Sequence, residues 1–269
     1  MRRKIWVALA ATVVAAVAVA SVAIAAETQV NTYSVTGKMT GGNGATKKKP
    51  KPVAVNFDYQ VGEEHGLRPS VVTKYSILFG GLQVNNTAFK GCNPKLLTDS
   101  GPGPSACPKA SIMGSGKVRN STGKSSDPTD QNNPAFLCNL KLTAVNSTQK
   151  NHFLLYLLGV KGDPDINQRC ALPINQAIDA KFVKHGSKGT SLDFNVPDIL
   201  LHPAGPGVVD NAVTQVQSSI KKLTTKKHGK TVGFFESTSC KTKQTIKVTF
   251  TQEAGNKKGT ASTTYKCTK

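Results

Sequence analysis

Five histidines (His65, His152, His185, His202 and His228) are the natural places to look for acid–base or metal chemistry in this chain. None forms the H-x-H or H-E-x-x-H spacing that brings two imidazoles to one metal ion, and no G-x-S-x-G elbow presents a serine nucleophile. Glu63-Glu64-His65 is the one tight acid and imidazole cluster. Adjacent residues of an extended chain point in different directions, so a solvated surface turn is expected there rather than a catalytic pair. Gly114-Ser115-Gly116-Lys117 has the look of a phosphate loop, but Ser111 stands where the first glycine belongs and Val118 where Ser or Thr should follow the lysine. A glycine turn leading into a strand is expected instead. Asp163-Pro164-Asp165-Ile166-Asn167 opens like a calcium loop, yet Gln168 replaces the glycine and Ile174 the bidentate glutamate, which predicts a polar turn. No catalytic, cofactor-binding or metal-ligating residue is therefore expected. A triad gathered from distant residues stays open, because triads are defined by geometry and not by order in the chain.

Charge is the stronger signal. The 269 residues carry 35 Lys+Arg against 15 Asp+Glu, a formal charge of +20. Beyond residue 25 only Arg68, Arg119 and Arg169 are arginines, so the excess is almost all lysine. Arginine makes the bidentate contacts that read bases, and its scarcity argues against sequence-specific nucleic-acid recognition. The lysines cluster at Lys47 to Lys51, at Lys221, Lys222, Lys226, Lys227 and Lys230, and at Lys241, Lys243 and Lys247. The last three share one face of an alternating strand. From Lys221 onward these eight are the candidate contacts to polyanions, either anionic cell-wall polymers or lipid head groups. The plain alternative is solubility and protection of strand edges.

The elements that must position these residues begin after an export signal. Arg2, Arg3 and Lys4 precede an almost unbroken Ala/Val stretch that ends in Ala23-Ile24-Ala25, which predicts a signal peptide over residues 1–25. An uncleaved anchoring helix is the alternative. Past residue 25, Val53, Val55, Phe57, Tyr59 and Val61 alternate, as do Val71, Thr73, Tyr75, Ile77 and Phe79. Shorter alternations run through Phe136–Ala144, Leu192–Val196, Ile246–Phe250 and Ala261–Cys267, while Phe153 to Val160 is apolar on both faces and reads as a central strand. Val209, Val213, Val216, Ile220 and Leu223 are spaced like a helical stripe, but the Val/Thr/Ser/Gln composition favours a strand. A single all-β domain over residues 26–269 follows, an antiparallel β-sandwich of Ig-like or jelly-roll-like type, with flexible loops near 41–52 and 120–134.

Cysteine usage agrees with export. Cys92, Cys107, Cys138, Cys170, Cys240 and Cys267 are even in number and form no C-x-x-C pair, as expected of an oxidised framework rather than a zinc or redox site. Sequential pairing is expected: Cys92 with Cys107 around a Gly/Pro-rich loop, Cys138 with Cys170, and Cys240 with Cys267 across a terminal hairpin.

Some of these residues also carry a resemblance. Gly81-Leu82-Gln83-Val84-Asn85 with Phe89 and Cys92, then Cys107-Pro108-x-x-Ser111-x-x-Gly114-x-Gly116, and finally Ser237-x-x-Cys240 with Tyr265-x-Cys267, resemble a group of uncharacterised exported proteins of high-GC Gram-positive bacteria. The resemblance implies secretion, a β-rich fold and disulfides, and no activity. The expected role is that of a secreted non-enzymatic β-sandwich with no cofactor, associating with anionic surfaces through lysine. The alternatives are a secreted hydrolase with a dispersed site, or a carrier whose interior holds a small apolar ligand in a cavity of several hundred Å3, the usual size for such sites.

Overall fold

A computed structural model of the protein describes residues 29–98, 100–125, 139–159, 174–240, 243–265 and 267. Alternating apolar residues become strands: β1 (Asn31–Gly41), β2 (Lys51–Glu63), β3 (Val72–Phe79), β4 (Leu82–Val84), β5 (Ile112–Lys124), β6 (Leu140–Asn146), β7 (His152–Gly159) and β8 (Ile174–Lys184). They continue as β9 (Thr190–Asn195), β10 (Val209–Ile220), β11 (Thr224–Lys227), β12 (Lys230–Gly233), β13 (Phe235–Ser237), β14 (Gln244–Gln252) and β15 (Lys258–Tyr265). The only α-helix among the described residues is a single turn, Asp198–Leu201.

Thirteen strands form one antiparallel sheet in the order β15-β14-β3-β9-β8-β7-β6-β5-β10-β2-β13-β4, with β1 on the flank of β2; β11 and β12 make a separate hairpin. The sheet curls until its flanks face each other. Phe57 on β2 meets Phe79 on β3 edge to face at 5.5 Å, and Tyr59 meets Tyr75 at 5.5 Å, although β2 and β3 lie far apart in the strand order. The expected antiparallel β-sandwich is thus what the chain adopts, with both walls drawn from one continuous sheet. β1 packs beside β15, where Gly259 leaves room for the Tyr33 ring; any side chain at 259 would overlap that ring. Tyr33 then stacks on Phe250 at 4.3 Å and accepts a 2.8 Å hydrogen bond from Gln252 Nε2.

β7 is apolar on both faces because it is covered on both. Phe153 and Leu157 face the main core, whereas Leu154 and Tyr156 face a second cluster with Cys92, Leu97, Cys107 and Val145. That outer cover is the segment between β4 and β5, a string of short 3-10 turns held by the Cys92–Cys107 disulfide. The residues 41–52 are also shaped by contacts: Gly41 ends β1, Lys51 starts β2, and between them Ala45 is buried, with its N–H donating to Gly42 O. Asn120 to Lys124 belong to β5, and residues 126–138 lie outside the described residues.

Candidate functional site

Antiparallel pairing brings most of the lysine clusters to one end of the sandwich. β1 ends at Gly41 opposite Val53, β10 ends at Ile220 opposite Val55, and Ser237 pairs with Lys51. Lys222 Nζ lies 3.5 Å from where a side chain on Gly41 would begin, and Cys240 N–H donates to Ala45 O at 3.4 Å. The Cys240–Cys267 disulfide fastens the chain end here. Exposed Lys47, Lys48, Lys49, Lys51, Lys221, Lys222 and Lys243 therefore surround one rim. The β11–β12 hairpin rises from the same rim, rooted where Phe234 N–H donates to Leu223 O and where Gly233 packs on Pro52, and it exposes Lys226, Lys227 and Lys230. Lys247 sits farther down the outer face of β14, and Lys241 lies outside the described residues.

Sequence reasoning missed two members. The turn between β8 and β9 packs on Gly80 and Gly81 at the same end and adds exposed Lys184 and Lys188. Their signal was present in His185-Gly186-Ser187-Lys188-Gly189, but as a turn motif, and only the sheet order shows that this turn adjoins the others. Between Gly41 and Pro52, and between Ile220 and Lys247, the sequence holds one acid, Glu236. That carboxylate is buried and spoken for by Gln83 Nε2 at 2.7 Å, Asn85 Nδ2 at 2.8 Å and Gly233 N–H at 2.9 Å. Nothing on these segments offsets the rim's positive field.

The far end, roughly 40 Å away along β2 at about 3.3 Å per residue, is of mixed sign. His202, 7% exposed, is gripped on both ring nitrogens: Nδ1 by Asp210 Oδ1 at 3.2 Å and Nε2 by Glu253 Oε1 at 2.9 Å. Ser125 Oγ donates to the same Asp210 oxygen at 2.6 Å, and Arg68, 2% exposed, donates to Lys124 O at 2.6 Å with its guanidinium 3.9 Å from Asp210 Oδ2. Burial works against protonating His202, but the hydrogen bond and charge of Glu253, followed by the charge of Asp210, outweigh it and hold the imidazole above its ordinary pKa. A raised pKa means that the clamp's contribution is complete below about 6.5, the unfolded value, and is lost as pH climbs through the folded one. The melting temperature should therefore fall across that window, and His202→Asn should flatten this part of the profile; an unchanged slope in the variant would refute the clamp.

The other histidines have local roles. Glu63 corrects an expectation: its side chain is buried, accepting from His65 N–H at 2.7 Å, Leu67 N–H at 3.0 Å and His65 Nδ1 at 3.2 Å. Burial pushes this carboxyl up, but the Leu67 and His65 donors prevail and hold it below its usual pKa. Glu63 caps the turn, while Glu64 and His65 stand in solvent. His152 bridges to Asp179 on the neighbouring strand at 2.9 Å. His185 Nε2 lies 2.8 Å from Ser191 Oγ, and Ser191 is buried. His228 marks the tip of the β11–β12 hairpin.

Gly114 to Lys117 lie inside β5, not in a loop or turn; Gly114 and Gly116 are pressed against the Ser219 and Gln217 carbonyls. The acidic turn near Asp163, Asp165 and Asn167 lies outside the described residues, as do Cys138 and Cys170. Cys92–Cys107 and Cys240–Cys267 are bonded as expected. The apolar interior holds a cavity of about 70 Å3 bounded by residues such as Phe57, Ile77, Leu142, Leu192 and Val216. That is half of the roughly 150 Å3 that accommodates benzene, and among the described residues it falls short of the several hundred Å3 expected of a carrier. No family model matches the chain, and no curated protein or solved structure does either.

Proposed function

We propose that the protein is a secreted, non-enzymatic β-sandwich that holds anionic polymers of the cell surface at its lysine-rich end. The observation that carries this reading is the convergence of the 41–51 loop, the end of β10, the β8–β9 turn and the β11–β12 hairpin on one rim, with no acid in the first, second or fourth of these segments and the adjacent Glu236 of β13 buried and hydrogen-bonded. Flexible, strongly hydrated ammonium groups spread over loops suit a polymer of spaced phosphates or carboxylates rather than a single shaped ligand. The two disulfides indicate an oxidising compartment. No helix among the described residues is long and apolar enough to cross a membrane. Export by the N-terminal signal completes the reading and puts the lysine rim in contact with wall polymers.

Contacts of this kind are screened within about 8 Å at physiological ionic strength. Titration of the protein with soluble poly(glycerol phosphate) should give saturable binding at low salt that weakens steeply as salt rises. Affinity that is the same at low and high salt would contradict a Coulombic rim.

A further inference from the structure

The rim carries a reactive peptide group of its own. Asn43-Gly44 is the one Asn-Gly pair in the sequence, and it forms the tip of the turn that Ala45 N–H closes onto Gly42 O at 2.9 Å. Both feet of that turn are packed. A side chain on Gly42 would press on Val53 and the Cys240 sulfur, and Ala45 O accepts from Cys240 N–H, whereas Asn43 and Gly44 stand in solvent. Gly44 has a φ of 71°, which suits glycine, and it has no Cβ to shield its nitrogen. Among the described residues, neither the Asn43 amide nor the Gly44 N–H has a hydrogen-bond partner.

Lys51 acts on the same group. Its Nζ donates to the Asn43 carbonyl oxygen at 2.6 Å and lies 3.5 Å from where a side chain on Gly44 would begin. That carbonyl and the Gly44 N–H belong to one peptide bond, so an ammonium on the oxygen draws electron density from the nitrogen and favours its deprotonated form. Lys47, Lys48 and Lys49 add to the positive field, and no acid lies between Gly41 and Pro52. The two asparagines followed by serine are placed differently. Asn120-Ser121 lies within β5 and is buried, and the buried Asn146 has its amide committed to the Asn86 and Lys90 carbonyls, each at 3.0 Å.

We propose that Asn43 deamidates spontaneously in the folded protein, assisted by the Lys51 ammonium, so that the rim acquires a carboxylate with age. Hydroxide removes the Gly44 amide proton, the nitrogen bonds to Asn43 Cγ, and the Cγ–Nδ2 bond breaks to release ammonia, which takes its proton from water. A second water opens the succinimide at either of its two ring C–N bonds, leaving aspartate or isoaspartate. In sum, an amide and a water become a carboxylate and an ammonium ion, with no change of oxidation state. The 41–52 segment thereby gains its first acid, set among Lys47, Lys48, Lys49 and Lys51. The effect on anionic polymers rests on the function proposed above; the conversion itself does not.

The test is incubation of the folded protein in water enriched in heavy oxygen, at neutral and at mildly alkaline pH, followed by peptide mapping by mass. Asn43 should take up label faster than every other asparagine, at a rate that rises with pH. Lys51→Arg, which keeps the charge, should keep most of the rate, and Lys51→Gln, which keeps a donor without the charge, should lose about threefold or more. In urea, where the contact is gone, the parent and Lys51→Gln should convert alike. Faster uptake at another asparagine, or equal rates for the folded parent and folded Lys51→Gln, would overturn the proposal. The variant Asn43→Asp should bind poly(glycerol phosphate) about threefold more weakly than the parent at low salt. Equal affinity would overturn the effect on the rim, and a parent that binds no polymer would refute the rim itself; the label readout is independent of both.

Discussion

Phe250→Ala is expected to destabilise the protein by about 3–5 kcal/mol, the usual cost of emptying a buried phenylalanine site. Phe250 is fully buried at the point where the sheet closes on itself, stacked on Tyr33 at 4.3 Å and edge-on to Tyr59 at 5.6 Å and Tyr75 at 5.7 Å. These partners come from β1, β2 and β3, so the alanine variant loses ring contacts to three strands that have no other aromatic between them and β14. Tyr33 also stacks over Gly259, and loosening it should free the β1–β15 seam. Urea denaturation measures the loss. Phe250→Leu, which keeps most of the volume, should cost less than half as much, and an alanine variant within about 1 kcal/mol of the parent would deny Phe250 its place at the seam.

Removing the Cys92–Cys107 bond by Cys92→Ser with Cys107→Ser should cost about 3 kcal/mol, the value for a closed loop of this length. The effect should also be local. Cys92 is tied to the outer edge of β6 by its N–H to Asn146 O at 2.8 Å and by Thr148 N–H to its own O at 3.1 Å, and its sulfur holds the far half of the cover. Without the bond, the 3-10 turns of residues 94–111 have few hydrogen bonds of their own to keep them on Leu154 and Tyr156. Amide exchange should accelerate there and at outward positions of β7, while β3 and β14 stay protected. Acceleration spread evenly over the sheet would contradict a separate second core.

The way β7 was legible and its cover was not shows what the sequence carries. An apolar run on both faces announces a strand buried twice, but the segment that buries its outer face has no periodicity, only prolines, glycines and two cysteines. β5 was hidden for a related reason: its inward positions include Gly114, Gly116, Asn120 and Thr122, so a central strand lacks the apolar alternation that marks one. β10 was ambiguous because of a single bulge. Its register shifts between Val213 and Gln215, inserting one residue, so inward Val209, Val213, Val216 and Ile220 fall at intervals of 4, 3 and 4. A strand with one extra residue thus imitates a helical stripe. Lysine clusters were visible as composition, and their union was not, since it depends on β10 lying between β2 and β5.

In the proposed function the rim, and not the total charge, holds anionic polymers. It is tested most directly by two matched double charge reversals titrated with poly(glycerol phosphate) at low salt. Lys226→Glu with Lys227→Glu alters the hairpin on the rim, and Lys257→Glu with Lys258→Glu alters the β14–β15 turn at the opposite end, with the same change in net charge. The rim pair should weaken binding by about tenfold or more and the distant pair by much less. Equal loss from the two pairs would mean that net charge alone drives the association, and the rim would have no special part in it.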